Sequence, residues 1–316
     1  PPRSVAGAAG RGCAGMSVEA FLARAGWGDA AREALAGDAS TRRYERLPRG
    51  RDSAVLMIAP PQERAAFDAF QDIAGRLRAA GLSAPDVLEA SPDSGLMLLE
   101  DLGAETFADL PDAQGPNRVA VDVLAHLATR GPWPVNRLTP DVMAQMTAIA
   151  LPEGAEAALA AMEAEFARIF TDPLVPALRD FHAENLIWLP ERAGLARVGL
   201  LDFQDAVMAP PGYDLTSLTH DARRHMGREG QAELTARYAG ALGLGHDRFA
   251  TQCAALVFQR NLRIMGVFRR LARARGKPGY LAHLPRVYAH VTGALRHPEL
   301  SDLSRAMAPH LEAIAP

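Results

Sequence analysis

Lysine is nearly absent from this chain. Of 34 lysine and arginine residues only Lys277 is lysine, so any cation in the N-terminal half is a guanidinium rather than an ammonium. A GC-rich genome is the simplest cause of the bias, and its consequence is chemical all the same. Cysteine is scarce too. Cys13 and Cys253 support neither a disulfide framework nor a multi-cysteine zinc site, which fits a reducing compartment and an expected cytoplasmic location. No apolar run approaches the roughly 20 residues of a membrane span. Charge of one sign does not dominate, with a formal net charge of -3, so the electrostatic footprint of a nucleic-acid or anionic-membrane partner is missing. Residues 1–15, rich in Ala, Gly, Arg and Pro, lack the apolar core of a secretory signal. Residues 1–16 are read as a disordered tail, with a transit-like tail as the alternative.

The chain has 316 residues, 48% of them hydrophobic, enough for one large domain or two lobes. Residues 18–30 and 31–35 read as short helices broken at Trp27-Gly28. Gly37-Asp38-Ala39-Ser40-Thr41 is a small polar turn. Residues 42–47 and 54–58 flank a Pro48-Arg49-Gly50-Arg51 turn and read as two strands. A helix opens at Pro60-Pro61, shows Phe67, Phe70, Ile73, Ala74 and Leu77 at helical spacing, and stops at Gly81. Two more strands, 84–90 and 95–100, surround Pro92-Asp93-Ser94-Gly95. Beyond Asp101-Leu102-Gly103 helical patterns dominate, interrupted by a short β-rich insert around Asp180 and Asp202. The longest helix is predicted over 251–275. The expected fold is α+β: a small antiparallel β-rich N-lobe over 17–102 and a larger, mainly helical C-lobe over 103–316, the shape of a bilobal protein kinase.

Asp180 lies five positions before Asn185, and Asp202 closes the apolar run Val198-Gly199-Leu200-Leu201 a further seventeen positions on. Phosphoryl transfer needs such a set: one carboxylate accepts the proton of the attacking hydroxyl, while an amide oxygen and a second carboxylate hold magnesium. Asp180 is therefore the candidate base, and Asn185 and Asp202 the candidate metal ligands. Asp180 alone also reads as a helix N-cap. A metal hydrolase using Asp180, His182 and Asp202 is a rival reading; in the kinase reading His182 is a structural hydrogen-bonder. Backbone amides of 37–43, with the Ser40 and Thr41 hydroxyls, suit phosphate oxygens.

These motifs resemble the aminoglycoside phosphotransferase and choline kinase-like superfamily, and more narrowly the bacterial anomeric kinases of N-acetylmuramate and N-acetylglucosamine in cell-wall recycling. The resemblance covers about 21–271. It rests on Gly37-Asp38-Ala39-Ser40-Thr41-Arg42-Arg43-Tyr44, Leu98-Leu99-Glu100-Asp101-Leu102-Gly103, Leu178-Arg179-Asp180-Phe181-His182-Ala183-Glu184-Asn185, Leu201-Asp202-Phe203-Gln204-Asp205, Pro211-Gly212-Tyr213-Asp214-Leu215 and Gln259-Arg260-Asn261-Leu262-Arg263. It implies transfer of the γ-phosphoryl group of ATP, with Mg2+, to the C1 hydroxyl of an amino sugar, giving an α-1-phosphate. The adenine would lie at the backbone of Glu100 and Leu102. The sequence departs from the superfamily in the third strand, where a lysine usually holds phosphate and Met57 stands here. Arg42 or Arg43 is the expected replacement, and Glu63 lies early in the helix for the usual glutamate partner. A nucleotide-binding pseudokinase is the non-enzyme alternative, opposed by the intact Asp180, Asn185 and Asp202 set. A kinase for another small hydroxylated metabolite is the other alternative.

From 251 to 300 there are eight arginines and Lys277 against Glu299 as the only acid. A polycationic acceptor would need the reverse. A neutral or anionic amino sugar fits, with Arg260, Arg263 and Arg270 as the first place to look for a carboxylate fork. Asp205 and Asp221 are candidate ligands of sugar hydroxyls, Asp214 and Asp221 equally candidate structural caps. The protein is expected to act as a monomer on this small molecule.

Overall fold

The computed structural model describes residues 16–35, 41–111 and 113–316. The Gly37 to Ser40 turn, and with it Ser40, lies outside the described residues. The chain divides into two compact units, the described residues of 16–68 with Asp86–Asp101, and Ala69–Pro85 with Leu102–Pro316.

In the smaller unit α1 (Val18–Arg24) is capped by the Ser17 hydroxyl, which accepts the Ala20 amide at 3.2 Å. The helix ends earlier than 30 because Gly26 turns left-handed (φ 73°). The Trp27 amide then reaches back to the Leu22 carbonyl at 2.7 Å and the Gly26 amide to Ala23, a Schellman stop that glycine favours. Residues 31–35, predicted helical, contain instead strand β1 (Glu33–Ala34). Five residues rarely nucleate a helix, whereas here the Arg32 fork grips Glu45 at 2.6 and 3.2 Å and aligns the segment with the sheet edge. Strands β2 (Arg43–Arg49), β3 (Asp52–Ile58), β4 (Val87–Ser91) and β5 (Leu96–Glu100) complete an antiparallel sheet in the order β1-β2-β3-β5-β4. Phe21, Leu22, Trp27, Leu47, Leu56, Leu96 and Leu98 form its core. Gly95, also left-handed, is required at its turn: a Cβ there would sit 2.1 Å from the Ala59 carbonyl oxygen.

Helix α2 (Arg64–Ala79) follows a short 3-10 turn, Pro61–Glu63. Its C-terminal part and the segment to Pro85 belong with the larger unit, since Phe70 packs on Phe203 at 4.9 Å and the Ser83 hydroxyl donates to the Ala196 carbonyl at 2.7 Å. The expected boundary lay after 102; the chain passes to the larger unit at Leu102, which is buried with Ile187 and Leu189.

The larger unit contains α3 (Gln114–Ala128), α4 (Pro140–Gln145) and α5 (Glu156–Ile169), then two small hairpins. Strand β6 (Val175–Ala177) pairs with β9 (Val207–Ala209), and inside them β7 (Leu186–Trp188) pairs with β8 (Val198–Leu200). Then come α6 (Tyr213–Thr219), α7 (Arg228–Leu242), the 29-residue α8 (His246–Ala274), α9 (Leu284–Ala294), α10 (Ser301–Met307) and α11 (Leu311–Ile314). Phe166, Phe258, Leu262, Met265, Val287 and Val291 lie in one apolar core, and Gly266 lets α8 approach the backbone of Ile149 and Ala150 closely. Among the described residues no helix is long and apolar enough to cross a membrane.

Candidate active site

The β7–β8 hairpin assembles the site. Its register pairs Leu186 with Leu200, and the Leu201 amide donates to the Asn185 carbonyl at 3.0 Å. Asn185 therefore enters the hairpin where Asp202 leaves it, and seventeen residues of sequence become neighbouring strand ends. Asp202 is exposed with φ 55°, a left-handed conformation that aspartate and asparagine adopt more readily than other residues with a side chain. Its Oδ1 accepts from Gln204 Nε2 at 2.7 Å. Phe203, fully buried, anchors the turn against Phe70.

The segment carrying Asp180 is held from below by Asp214. This buried carboxylate accepts the Leu178 amide on Oδ2 and the Arg179 amide, at 3.0 Å, on Oδ1. Burial raises its pKa to about 6, against the lowering pull of those amides and of Arg260. The Asp180 carbonyl accepts the His182 amide at 3.1 Å and Asn185 Nδ2 at 2.9 Å, which closes the loop while the Asp180 carboxylate takes no hydrogen bond or ion pair among the described residues. A carboxylate so placed is ready to receive a proton from a bound hydroxyl. Asn185 Nδ2 also lies 3.3 Å from His182 Nε2. With its N–H groups spent on the loop, Asn185 presents Oδ1 as its other face. His182 has its pKa lowered by burial and stays neutral at physiological pH, as the structural hydrogen-bonder of the kinase reading.

The donor set fits a hard divalent cation: the Asn185 amide oxygen, the Asp202 carboxylate and, in the same turn, Gln204 Oε1, buried without a partner. Among the described residues no three His, Cys, Asp or Glu side chains come together to hold a metal, so the hydrolase set of Asp180, His182 and Asp202 does not form.

Two of the sequence candidates for acceptor binding change role. Asp221 is buried, and its oxygens accept the Arg223 amide at 2.8 Å and the Ala183 amide at 3.4 Å. Of its two expected roles the structure gives it the structural one, a brace under the Asp180 loop. Arg260 is likewise engaged: it donates to the Ser217 hydroxyl at 2.6 Å and lies 4.4 Å from the Tyr213 ring centroid. Arg270 is exposed. Arg263 is half-buried and has Tyr213, Arg179 and Asp180 as electrostatic neighbours. Asp205 is exposed, its carbonyl 3.4 Å from Arg179 Nη1.

In the smaller unit, Met57 is buried in β3 at 1% exposure, opposite Tyr44 in the sheet register, and offers no charge. Arg42 does. Its Nε lies 3.4 Å from Glu63 Oε2, and the Thr41 hydroxyl donates to Glu63 Oε1. Burial works against the Arg42 charge, but Tyr44 and Glu63 outweigh it and hold its pKa above the usual value. Glu63 thus pairs with Arg42, 21 residues away, one of the two arginines the sequence offered. Arg43 is exposed at the start of β2. Glu100 closes β5, its amide donating to the Asp86 carbonyl at 2.8 Å.

An antiparallel sheet unit, a helical unit and an Asp, Asn, Asp set on a hairpin define a phosphotransferase of the kinase-like class. The chain belongs to the phosphotransferase enzyme family known as APH, whose model matches residues 32–252. Relatives include the N-acetylmuramate/N-acetylglucosamine kinase of Caulobacter vibrioides, 41% identical, with 90% of this chain and 93% of that protein covered. A Pseudomonas aeruginosa protein of the same name is 31% identical, with 92% of each covered. Among solved structures, a choline/ethanolamine kinase family protein from Mesorhizobium loti shares the fold at TM-score 0.65 and 20% identity, covering 92% of this chain and 96% of that one. An aminoglycoside phosphotransferase from Streptomyces rimosus does so at TM-score 0.55 and 21% identity, covering 77% and 96%.

Proposed function

We propose that this enzyme is an ATP- and Mg2+-dependent kinase that phosphorylates the C1 hydroxyl of N-acetylmuramate and N-acetylglucosamine, yielding a sugar α-1-phosphate in peptidoglycan recycling. The observation that carries the reaction class is the Asp180 carboxylate, without a hydrogen-bond partner among the described residues, in a loop closed by Asn185, which stands with Asp202 at the neighbouring ends of the β7–β8 hairpin. The acceptor rests on the likeness to the Caulobacter vibrioides and Pseudomonas aeruginosa kinases. A cytoplasmic site of action follows from the need for ATP.

Asp180 orients the C1 hydroxyl and takes its proton as the oxygen attacks the γ-phosphorus. That hydroxyl belongs to a hemiacetal and is more acidic than an ordinary alcohol, so a carboxylate base of modest strength suffices. Asn185 and Asp202 would hold magnesium, which supplies charge neutralisation of the nucleotide phosphates when bound. Arg42, positioned by Glu63 and Tyr44, serves the nucleotide phosphates in place of the missing lysine, with the Thr41 segment and Arg43 beside it. The backbone from Glu100 to Leu102 serves the adenine.

The test is sugar-dependent release of ADP with 1-phosphate formation. Asp180→Ala is expected to lower kcat by about 10²- to 10⁴-fold with an unchanged melting temperature. Folded wild-type protein that binds ATP yet turns over neither sugar would refute the assignment of the acceptor.

A further inference from the structure

Helix α8 carries two arginines one turn apart, and they are not equivalent. Arg260 has the Ser217 hydroxyl and the Tyr213 ring as partners. Arg263 is half-buried, yet no hydrogen bond or ion pair holds it among the described residues. Burial lowers its pKa, Tyr213 and Asp180 support its charge, and Arg179 and Arg260 oppose it. An arginine does not escape by losing its proton, so the charge stays and its repulsion from Arg179 persists.

Arg179 carries a second sign of an unfinished site. Its φ is 74°, a left-handed conformation that glycine adopts freely and a long side chain only at a cost. Its Nε is buried without a partner, and its Nη1 makes one long contact, 3.4 Å to the Asp205 carbonyl. Arg179 immediately precedes Asp180, and Arg263 lies one turn along α8 from Arg260, which packs on Tyr213 next to Asp214, the carboxylate that holds the Arg179 amide; Arg179 Nε is buried without a partner, and Arg263 makes no hydrogen bond among the described residues. Buried donors without partners are uncommon in native proteins, and planar forks of this kind match a carboxylate in two parallel bonds.

We propose that Arg263 and Arg179 form a carboxylate-recognition site beside Asp180 that receives the lactyl group by which N-acetylmuramate differs from N-acetylglucosamine. This rests on the acceptor reading above and deepens it. Both arginines lie in the same unit as Asp180, the group that contacts the acceptor. Glu184 does not compete for them, because its carboxylate is paired with Arg223 at 2.9 Å. The two arginines act as specificity determinants: they attract the substituent and leave the proton transfer to Asp180.

The experiment compares kcat/KM for the two sugars in wild type, Arg263→Gln, Arg263→Lys and Arg179→Gly. The ratio of N-acetylmuramate to N-acetylglucosamine efficiency is expected to fall about 10- to 100-fold in Arg263→Gln, the range of a lost charge-assisted pair. Arg263→Lys restores part of it, keeping charge without the fork. Arg179→Gly should fold at least as well as wild type, since glycine relieves the strained φ, and should also lower the ratio, so the test survives a misfolded Arg263→Gln. An equal loss on both sugars, as expected if the arginines serve the transferring phosphoryl group, overturns the proposal. So does wild-type turnover of N-acetylglucosamine with no use of N-acetylmuramate, and either result leaves the kinase assignment standing. Turnover of neither sugar removes this proposal together with the acceptor reading on which it rests.

Discussion

In the β7–β8 hairpin the chain brings in Asn185 and takes out Asp202, and antiparallel pairing makes them neighbours. In the β2–β3 hairpin, pairing of Tyr44 with Met57 leaves the strand that usually supplies a phosphate-binding lysine with a buried thioether. In the proposed reading the positive charge comes instead from Arg42, ahead of β2, which pairs with Glu63 outside the sheet. The first hairpin brings the two proposed metal ligands together by its register, and the loop ahead of it, held by Asp214, carries Asp180. The second is a platform whose charge lies outside its strands, on Arg42 just ahead of β2, with Glu63 of the 3-10 turn after β3 as its partner. Carboxylate and amide ligands for a cation tolerate little substitution. A cation facing phosphate has more than one solution, because Lys and Arg reach by different lengths and geometries.

That contrast predicts unequal losses. Asp202→Asn is expected to lower kcat by about 10³-fold or more, because it removes the one carboxylate of the proposed cation ligand set. Arg42→Met is expected to lower kcat/KM for ATP by about 10- to 100-fold, the scale of one charge-assisted contact, and Glu63→Gln by less. Steady-state kinetics with varied ATP reads all three. If Arg42→Met matched the loss of Asp202→Asn, the smaller unit's cation would be as indispensable as the metal ligand and the contrast would collapse.

The same contrast explains what could be read from the letters alone. Asp180, Asn185 and Asp202 stood out because phosphoryl transfer calls for those residue types, and the hairpin accounts for the spacing of Asn185 and Asp202; their roles are the ones proposed above. Four strands of the larger sheet and the helices around them followed from periodicity and turn residues. Residues 31–35 did not, because their strand is imposed by the Arg32 to Glu45 fork, a tertiary contact. Arg42 and Glu63 were both offered by the sequence, but the early position of Glu63 and the choice between Arg42 and Arg43 left their pairing open until the contact showed it. Asp221 could be read as ligand or brace until its burial and its amide partners decided. Arg260 and Arg263 look alike in sequence; only Ser217 and Tyr213, brought over by α6, distinguish the satisfied arginine from the open one.

Glycine positions sharpen the comparison at the level of stability. Gly95→Ala sets a left-handed φ of 66° and a Cβ 2.1 Å from a backbone oxygen against the sheet of the smaller unit, and is expected to cost about 3 kcal/mol. Gly199→Ala in β8 meets Leu102 Cδ1, which can shift, and Ile187 Cβ, which moves only with its strand, each at 3.1 Å, and is expected to cost about 1 to 2 kcal/mol. Urea denaturation of both variants checks the order. A reversed order would mean that the catalytic hairpin is the more rigid of the two regions.

Acid separates the regions more gently, because the larger unit holds buried titratable groups around the catalytic segment. Burial, with His290 adding to it, lowers the His220 pKa to about 3. A depressed histidine gives stability that is complete above its unfolded value near 6.5 and drains away as pH falls toward 3. Asp214 runs the opposite way. Its pKa, raised by burial to about 6, gives stability that is present below its unfolded value and lost as pH rises through 6. Between pH 7 and pH 5 the two partly cancel, so the wild-type slope alone is uninformative and a difference is needed. His220→Gln removes one side of the balance. From pH 7 to pH 5 it should lose about 2 kcal/mol less stability than wild type, at about 1.4 kcal/mol per pH unit across the part of that range below 6.5. Equal slopes in urea titrations at the two pH values would mean that His220 takes up its proton in the folded state, and that the packing beneath the catalytic segment opens to water.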